Sequence, residues 1–296
     1  MAKSSTRYLL LAILIVVVFI LFLVFLKDRN TRPAIEKAPA PIDQRESAPQ
    51  SGEQDREART EEESRIIPRD EFNYLPTSTT NQIIRHSNFT LSYVETHEQA
   101  EWVAYELTDQ EVLGREERSD DFREDPKVNS GSASPKDYYR SGYDRGHLAP
   151  AGDMKFSDEA MSESFYMSNM SPQKPAFNRG IWRELEEQVR DWATENGSLY
   201  VVTGPIFGKS RKKLGDNKVT VPEAYYKVLL DYTEPEVKAI AFLLPNAGSK
   251  EDFMTFAVSI DSVEKVSGLD FFPALPDLQE DQLERDFAPD LWLADF

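Results

Sequence analysis

Within Tyr143-Asp144-Arg145-Gly146-His147, a histidine, an arginine and a glycine that lets backbone approach closely fall together on a short turn. Some thirty residues later, Asn178-Arg179-Gly180-Ile181-Trp182-Arg183-Glu184-Leu185-Glu186 opens a helix on an amide side chain and carries a carboxylate along it. An imidazole with its ordinary pKa near 6.5 can take a proton from water at neutral pH. An amide oxygen suits a hard cation such as Mg²⁺, which keeps several waters and takes few protein ligands. A guanidinium pairs with phosphate. Together these groups can activate water, hold a hard metal ion and neutralise a phosphate.

Each residue also has a structural reading. A histidine beside Gly and Leu is commonly a hydrogen-bonded structural residue. Asp144 could orient His147 or cap the turn. Arg145 could pair with one of many carboxylates. Asn178 could be the N-cap of the helix that starts at Gly180. Glu186 could orient the water around a metal ion, or pair with Arg190 four residues on. Asn169, in Met167-Ser168-Asn169-Met170-Ser171-Pro172-Gln173, could brace the site or be a plain loop amide.

The elements around these residues follow from composition and pattern. With 296 residues and no cysteine, disulfides and thiolate metal sites are excluded, and three histidines leave little room for a multi-histidine zinc site. The net charge of −18 argues against coating of nucleic acid by bulk electrostatics, so any polyanion must meet a local basic site. After a short tail (1–7), Tyr8 to Leu26 is an unbroken apolar run that ends in Lys27-Asp28-Arg29. At helical rise it spans about 28 Å, which predicts an uncleaved anchor in a lipid bilayer. The expected placement is a single pass through the cell membrane with the C-terminal domain outside the cytoplasm. Residues 27–80 are rich in Pro, Glu, Gln and Ser and read as a disordered linker. A folded domain is expected over 81–275, followed by an acidic tail over 276–296.

Within that domain the pattern predicts strands at Ile83-Ile84, Thr90–Tyr93, Trp102–Leu107, Leu199–Val202, Tyr225–Leu230, Val237–Leu244 and Phe253–Val258. Helices are predicted at Asp158–Ser164, Ile181–Ala193 and Asp261–Ser267. Strands and helices do not alternate, so the fold class is α+β, a mainly antiparallel sheet with packed helices.

Three blocks carry a further signal: Asp144-Arg145-Gly146-His147-Leu148-Ala149-Pro150, then Ser168-Asn169-Met170-Ser171-Pro172-Gln173, then Asn178 to Glu186. In order and spacing they resemble the signature of the DNA/RNA non-specific endonucleases, the endonuclease G-like family of ββα-metal nucleases. The resemblance covers about Ile83 to Phe272. It implies His147 as general base and Asn178 as the direct protein ligand of one hydrated Mg²⁺, with Mn²⁺ able to substitute. Glu186 would act through the metal's water. Arg145 and Arg118 would contact phosphate, Asn169 would support the site and its substrate contacts, and Arg190 matches a helix arginine of some members. Arg179 departs from the family, which often has glutamine or asparagine there. The implied substrates are DNA and RNA. A catalytically silent, surface-anchored nucleic-acid-binding module is the rival reading, and a homodimer is compatible with either.

Overall fold

The computed structural model describes residues 67–293 apart from positions 210 and 235. Its strands are β1 (Ile83–Arg85), β2 (Thr90–Val94), β3 (Gln99–Thr108), β4 (Asp144–His147), β5 (Met170–Gln173), β6 (Ser198–Ile206), β7 (Lys213–Leu214), β8 (Val219–Thr220), β9 (Ala224–Asp231), β10 (Lys238–Pro245) and β11 (Ala257–Val258). The α-helices are α1 (Asp109–Val112), α2 (Asp158–Ser164), α3 (Pro175–Asn178), α4 (Ile181–Asn196), α5 (Ile260–Ser267) and α6 (Asp277–Arg285).

Seven strands form one sheet in the order β1-β2-β3-β6-β9-β10-β11, and each neighbouring pair is antiparallel. The two-residue period of a strand sends alternate side chains to opposite faces. Here both faces are covered. Val103, Tyr105, Leu107, Leu199, Val201, Tyr225 and Leu229 join the core under α4, whose Ile181, Leu185, Val189 and Trp192 recur at helical spacing. Trp102, Ala104, Tyr200, Val202, Tyr226, Val228 and Leu230 enter a second core with Ile260 and Val263 of α5. The α+β class with a mainly antiparallel sheet is therefore present, as three layers. Gly197, with φ of 83°, stops α4 in a backbone conformation that glycine adopts freely.

Several expected boundaries shift. The Phe253–Val258 segment is a 3₁₀ turn at Phe253–Phe256 followed by the two residues of β11, because the Asp252 carboxylate accepts from the Met254 amide at 2.8 Å and caps a turn. The stretch ending in His147 is a strand rather than a turn, paired with β5 in a separate two-stranded ribbon. Packing also begins before residue 81. The Ile67 amide donates to the Tyr232 hydroxyl at 3.2 Å, Phe72 stacks on Tyr232, and Tyr74 stacks on Tyr200. The acidic tail is likewise part of the body: α6 lies within it, and Trp292 is buried with its carbonyl accepting from Trp192 Nε1 at 2.8 Å. Acidic composition hid these few aromatic anchors. The proposed anchor over 8–26 lies outside the described residues.

Trp292 meets Trp192 edge-on with centroids 5.1 Å apart. Trp292→Ala should therefore lower stability by about 3 kcal/mol, the low end for emptying a buried indole site. Urea unfolding followed by fluorescence measures it, and an unchanged midpoint would show that the tail does not support the core.

Candidate active site

The β4–β5 ribbon is what places His147. In its register Gly146 faces Ser171 and His147 faces Met170. A side chain at position 146 would run into the Gln173 amide, so glycine is required for this approach. His147 is only 8% exposed, and its ring meets Phe165 edge-on at 4.9 Å and Phe122 at 5.9 Å. Its Nε2 is buried without a hydrogen-bond partner among the described residues. Burial, followed by the guanidinium groups of Arg118 and Arg145, pushes its pKa down to about 3. At neutral pH the imidazole is uncharged and able to accept a proton.

Asp144 does not orient His147. Its Oδ2 accepts from Asn178 Nδ2 at 3.0 Å and from Arg179 Nε at 2.9 Å, and its Oδ1 accepts from Arg179 Nη2 at 2.7 Å. Burial works to raise the Asp144 carboxyl, but these bonds outweigh it and hold the group below its usual value. Arg179, the departure from the family pattern, is thus consumed in a two-pronged ion pair.

Asn178 is not an N-cap either. It ends the single turn α3, and Gly180 is the capping residue of α4. Because the Asn178 amide nitrogen is held by Asp144, the group left for a ligand is its carbonyl oxygen.

Asn169 is fully buried and committed to backbone. Its Oδ1 accepts from the Ala149 amide at 2.8 Å, and its Nδ2 donates to the Ala149 and Ser164 carbonyls at 2.9 and 2.8 Å. Every polar atom of that side chain is engaged, so the expected substrate contact of Asn169 is corrected. It braces the backbone just beyond His147.

His147, Arg145, Arg118, Asn178, Glu186 and Arg190 all line one cavity of about 360 Å³, with Arg179 and Arg183 also on its wall. The arginines are not equivalent. Arg179 is held by Asp144, Arg183 by Glu187 at 2.5 Å, and Arg190 by the buried Asp153 at 2.8 Å. Arg190, which the spacing also offered as an i,i+4 partner for Glu186, bonds to Asp153 instead, while its side chain still lines the cavity. Arg118 pairs with Asp120, but both are well exposed, as are Arg183 and Glu187, and such pairs exchange partners at little cost. Arg145 has no carboxylate partner among the described residues; its guanidinium carbon rests 3.8 Å from the Phe122 ring centroid. It is the wall's uncommitted cation.

Beneath Glu186 lies a group of charges that the sequence pattern did not reveal. Register sets Thr203 of β6 opposite Lys227 of β9. Lys227 Nζ, with no exposed surface, donates to Thr203 Oγ1 at 2.6 Å and lies 5.1 Å from the Trp182 ring. Beside it the Tyr105 hydroxyl donates to Asp153 Oδ2 at 2.6 Å. Burial lifts the Glu186 carboxyl to about 7, opposed by Lys227; burial likewise lowers Lys227, opposed by Glu186 and Asp153. The one available signal was a lone lysine in the otherwise apolar Tyr225–Leu230 run.

The cavity gathers an imidazole, an amide oxygen, a carboxylate and an uncommitted guanidinium, and comparison with known proteins names the class. Residues 72–278 match the family model for DNA/RNA non-specific endonucleases. The chain belongs to the DNA/RNA non-specific endonuclease family. Mitochondrial nuclease EXOG of Danio rerio is 40% identical over 207 residues, 64% of this chain and 60% of that protein. Mitochondrial endonuclease G of Homo sapiens is 36% identical over 207 residues, 65% of this chain and 70% of that one. A crystal structure of the EndoG/EndoGI complex matches with a TM-score of 0.62 at 34% identity, covering 64% of this chain and 85% of that one. The chain spans about three fifths of the length of the EXOG relatives.

These findings correct the expected single pass through the cell membrane with an exported domain. The EXOG and endonuclease G relatives are mitochondrial by name, and among the described residues no helix is long and apolar enough to cross a membrane. A lipid-bilayer partner has no support in the comparisons either.

The neutral His147 carries a stability consequence. Its folded pKa of about 3 lies below the ordinary 6.5. Between those values the unfolded chain binds a proton that the folded chain does not, so stability is complete above pH 6.5 and falls as pH drops toward 3. The contribution changes by about 1.4 kcal/mol per pH unit across that window. Histidine ring signals in NMR should show His147 uncharged at pH 5; a ring that titrates near 6.5 would contradict the buried site.

Proposed function

We propose that this protein is a Mg²⁺-dependent endonuclease that hydrolyses phosphodiester bonds of DNA and RNA with little sequence specificity. The observation that carries this is the convergence of His147, Arg145, Asn178 and Glu186 on one cavity. The donor set suits a hard divalent cation: one amide oxygen freed by the Asp144 contact, one carboxylate, and no thiol. Asn178 would hold the ion directly and Glu186 through its water, with Mn²⁺ able to replace Mg²⁺. When bound, the cation supplies Lewis-acid stabilisation of the charge that develops on the phosphate oxygens.

The protein's own groups do the rest. His147, kept neutral by burial and by two nearby guanidinium groups, takes the proton from the water that attacks phosphorus. Arg145, free of any internal carboxylate, receives the phosphate and offsets charge as it grows in the transition state. Arg118 joins it by giving up its surface partner. Asp144 holds Asn178 and Arg179 in place. Asn169 fixes the backbone at Ala149, so the imidazole cannot drift from its strand. Contacts of this kind reach the phosphate backbone rather than base edges, which accounts for low sequence specificity.

The purified full-length chain should degrade both plasmid DNA and RNA with Mg²⁺ present and stop on addition of a chelator. His147→Ala should lower kcat by about 10²- to 10⁴-fold, the range for loss of a general base. Asn178→Ala should raise the Mg²⁺ concentration needed for half-maximal rate. Intact plasmid and RNA after prolonged incubation with the wild-type chain would dismiss the enzyme in favour of a silent binding module.

Lys227→Met offers a separate check. Lys227 opposes the burial that raises the Glu186 carboxyl, so its loss should lift that pKa above about 7. The acid limb of the pH–rate profile should then move to higher pH. An unmoved limb would mean that Glu186 does not act in its ionised form.

A further inference from the structure

Next to the cavity runs a second groove, of about 290 Å³, lined by Tyr138, Tyr139, Arg140, Tyr143, Asp144 and Arg145 together with Pro135. Arg145 lines both, so the two adjoin at the cation assigned to the phosphate. Tyr139 is 72% exposed, unusual for an aromatic ring in a folded body. The Arg140 guanidinium carbon stands 5.0 Å from its centroid, and Lys212 Nζ stands 4.5 Å from the Tyr143 ring. At the groove wall Tyr138 is 6% exposed, and its hydroxyl is buried without a hydrogen-bond partner among the described residues. A buried phenol ordinarily finds a partner, so this one has unused capacity to donate. The single carboxylate among the lining residues, Asp144, is already taken by Asn178 and Arg179. The groove's free charge is therefore positive.

Aromatic faces alternating with cations are what a nucleotide strand needs: bases stack on the rings while phosphates follow the charges. We propose that this groove is a substrate subsite, which holds the nucleotide adjoining the cleaved phosphodiester with its base stacked on Tyr139 and its flanking phosphate on Arg140. The Tyr138 hydroxyl donates to an oxygen of that nucleotide. The subsite rests on the nuclease reading above and extends it: Arg145 orients the reacting phosphate, and Tyr139 fixes the strand beyond it. Stacking accepts any base, so the subsite adds affinity without adding sequence preference.

The test compares the full-length wild-type chain with Tyr139→Ala and Tyr139→Trp on three substrates: a short thymidine oligonucleotide, its abasic counterpart, and methyl p-nitrophenyl phosphate, a diester with no base. For the oligonucleotide, Tyr139→Ala should raise KM about 5- to 150-fold, the equivalent of one lost base stack, and Tyr139→Trp should restore it. On the abasic strand and the small diester, Tyr139→Ala should match wild type. Arg140→Gln should weaken the normal and abasic strands alike. An unchanged KM for the oligonucleotide in Tyr139→Ala overturns the subsite while leaving the nuclease reading intact. If the wild-type chain cleaves none of the substrates, the nuclease reading fails by itself. Fluorescence anisotropy of a labelled oligonucleotide then decides the groove: weaker binding by Tyr139→Ala supports it, and equal binding rejects it.

Discussion

A lysine with no exposed surface sits under the cavity, and the placement of the site depends on its being answered. An ammonium removed from water costs several kcal/mol unless opposite charge and hydrogen bonds surround it. Lys227 has Thr203 as its acceptor, the Trp182 ring beside it, and the carboxylates of Glu186 and Asp153 as its counter-charges. Asp153 in turn takes Arg190 and the Tyr105 hydroxyl. Two cations and two anions therefore close on one another between β3, β6 and β9 and the overlying α4. Moving the helix by a turn would leave at least one of them buried alone. The charge network thus sets where α4 lies on the sheet, and with it where Glu186 meets the cavity.

The second frame is the β4–β5 ribbon, which lies outside the main sheet and is tied to it by side chains. Ser171 Oγ donates to Gln99 Oε1 at 2.5 Å, and the Tyr225 hydroxyl donates to the Pro172 carbonyl at 2.9 Å. The ribbon brings His147; the α3 turn and α4 bring Asn178 and Glu186; Asp144, on the ribbon, grips Asn178 from the other frame. One hydrogen bond therefore fixes the strand that carries His147 relative to Asn178. That is the form of rigidity catalysis requires, since the reacting groups must keep their geometry without rearranging at each turnover.

What could be read from the sequence follows from which signals are local. The strand that contains Trp102–Leu107 and the helix that begins at Ile181 were visible because alternation and helical spacing are properties of neighbouring residues. So was the ordered set of His147, Asn178 and Glu186, since it occupies contiguous motifs. The long-range partners were not visible. Asp144 and Arg179 are thirty-five residues apart in sequence and two-pronged in space. Asn178 looked like a cap because its type fits one, whereas Gly180 occupies the cap and Asn178 turns to Asp144. Asn169 is a loop amide by type, but three backbone contacts make it a brace. At the ends, single aromatic residues such as Phe72 and Trp292 anchor segments whose average composition is that of a solvated chain.

The charge balance resolves through pairing rather than through totals. A body of net charge −18 repels a polyanion at long range, and salt weakens whatever local attraction remains. Within the cavity, two of five arginines, Arg179 and Arg190, are tied to sheltered carboxylates that hold structure, Arg118 and Arg183 have only surface partners, and Arg145 has none. That guanidinium also acts on His147, helping to suppress its protonation. A phosphate settling on Arg145 would bring negative charge that offsets the guanidinium share of this suppression, with burial, the larger cause, left in place. The imidazole would then hold a proton more readily at the moment a proton must be taken, while remaining neutral, and so available as a base, in the empty protein. A cation placed to meet a phosphate would in this way couple substrate arrival to the basicity of the imidazole beside it.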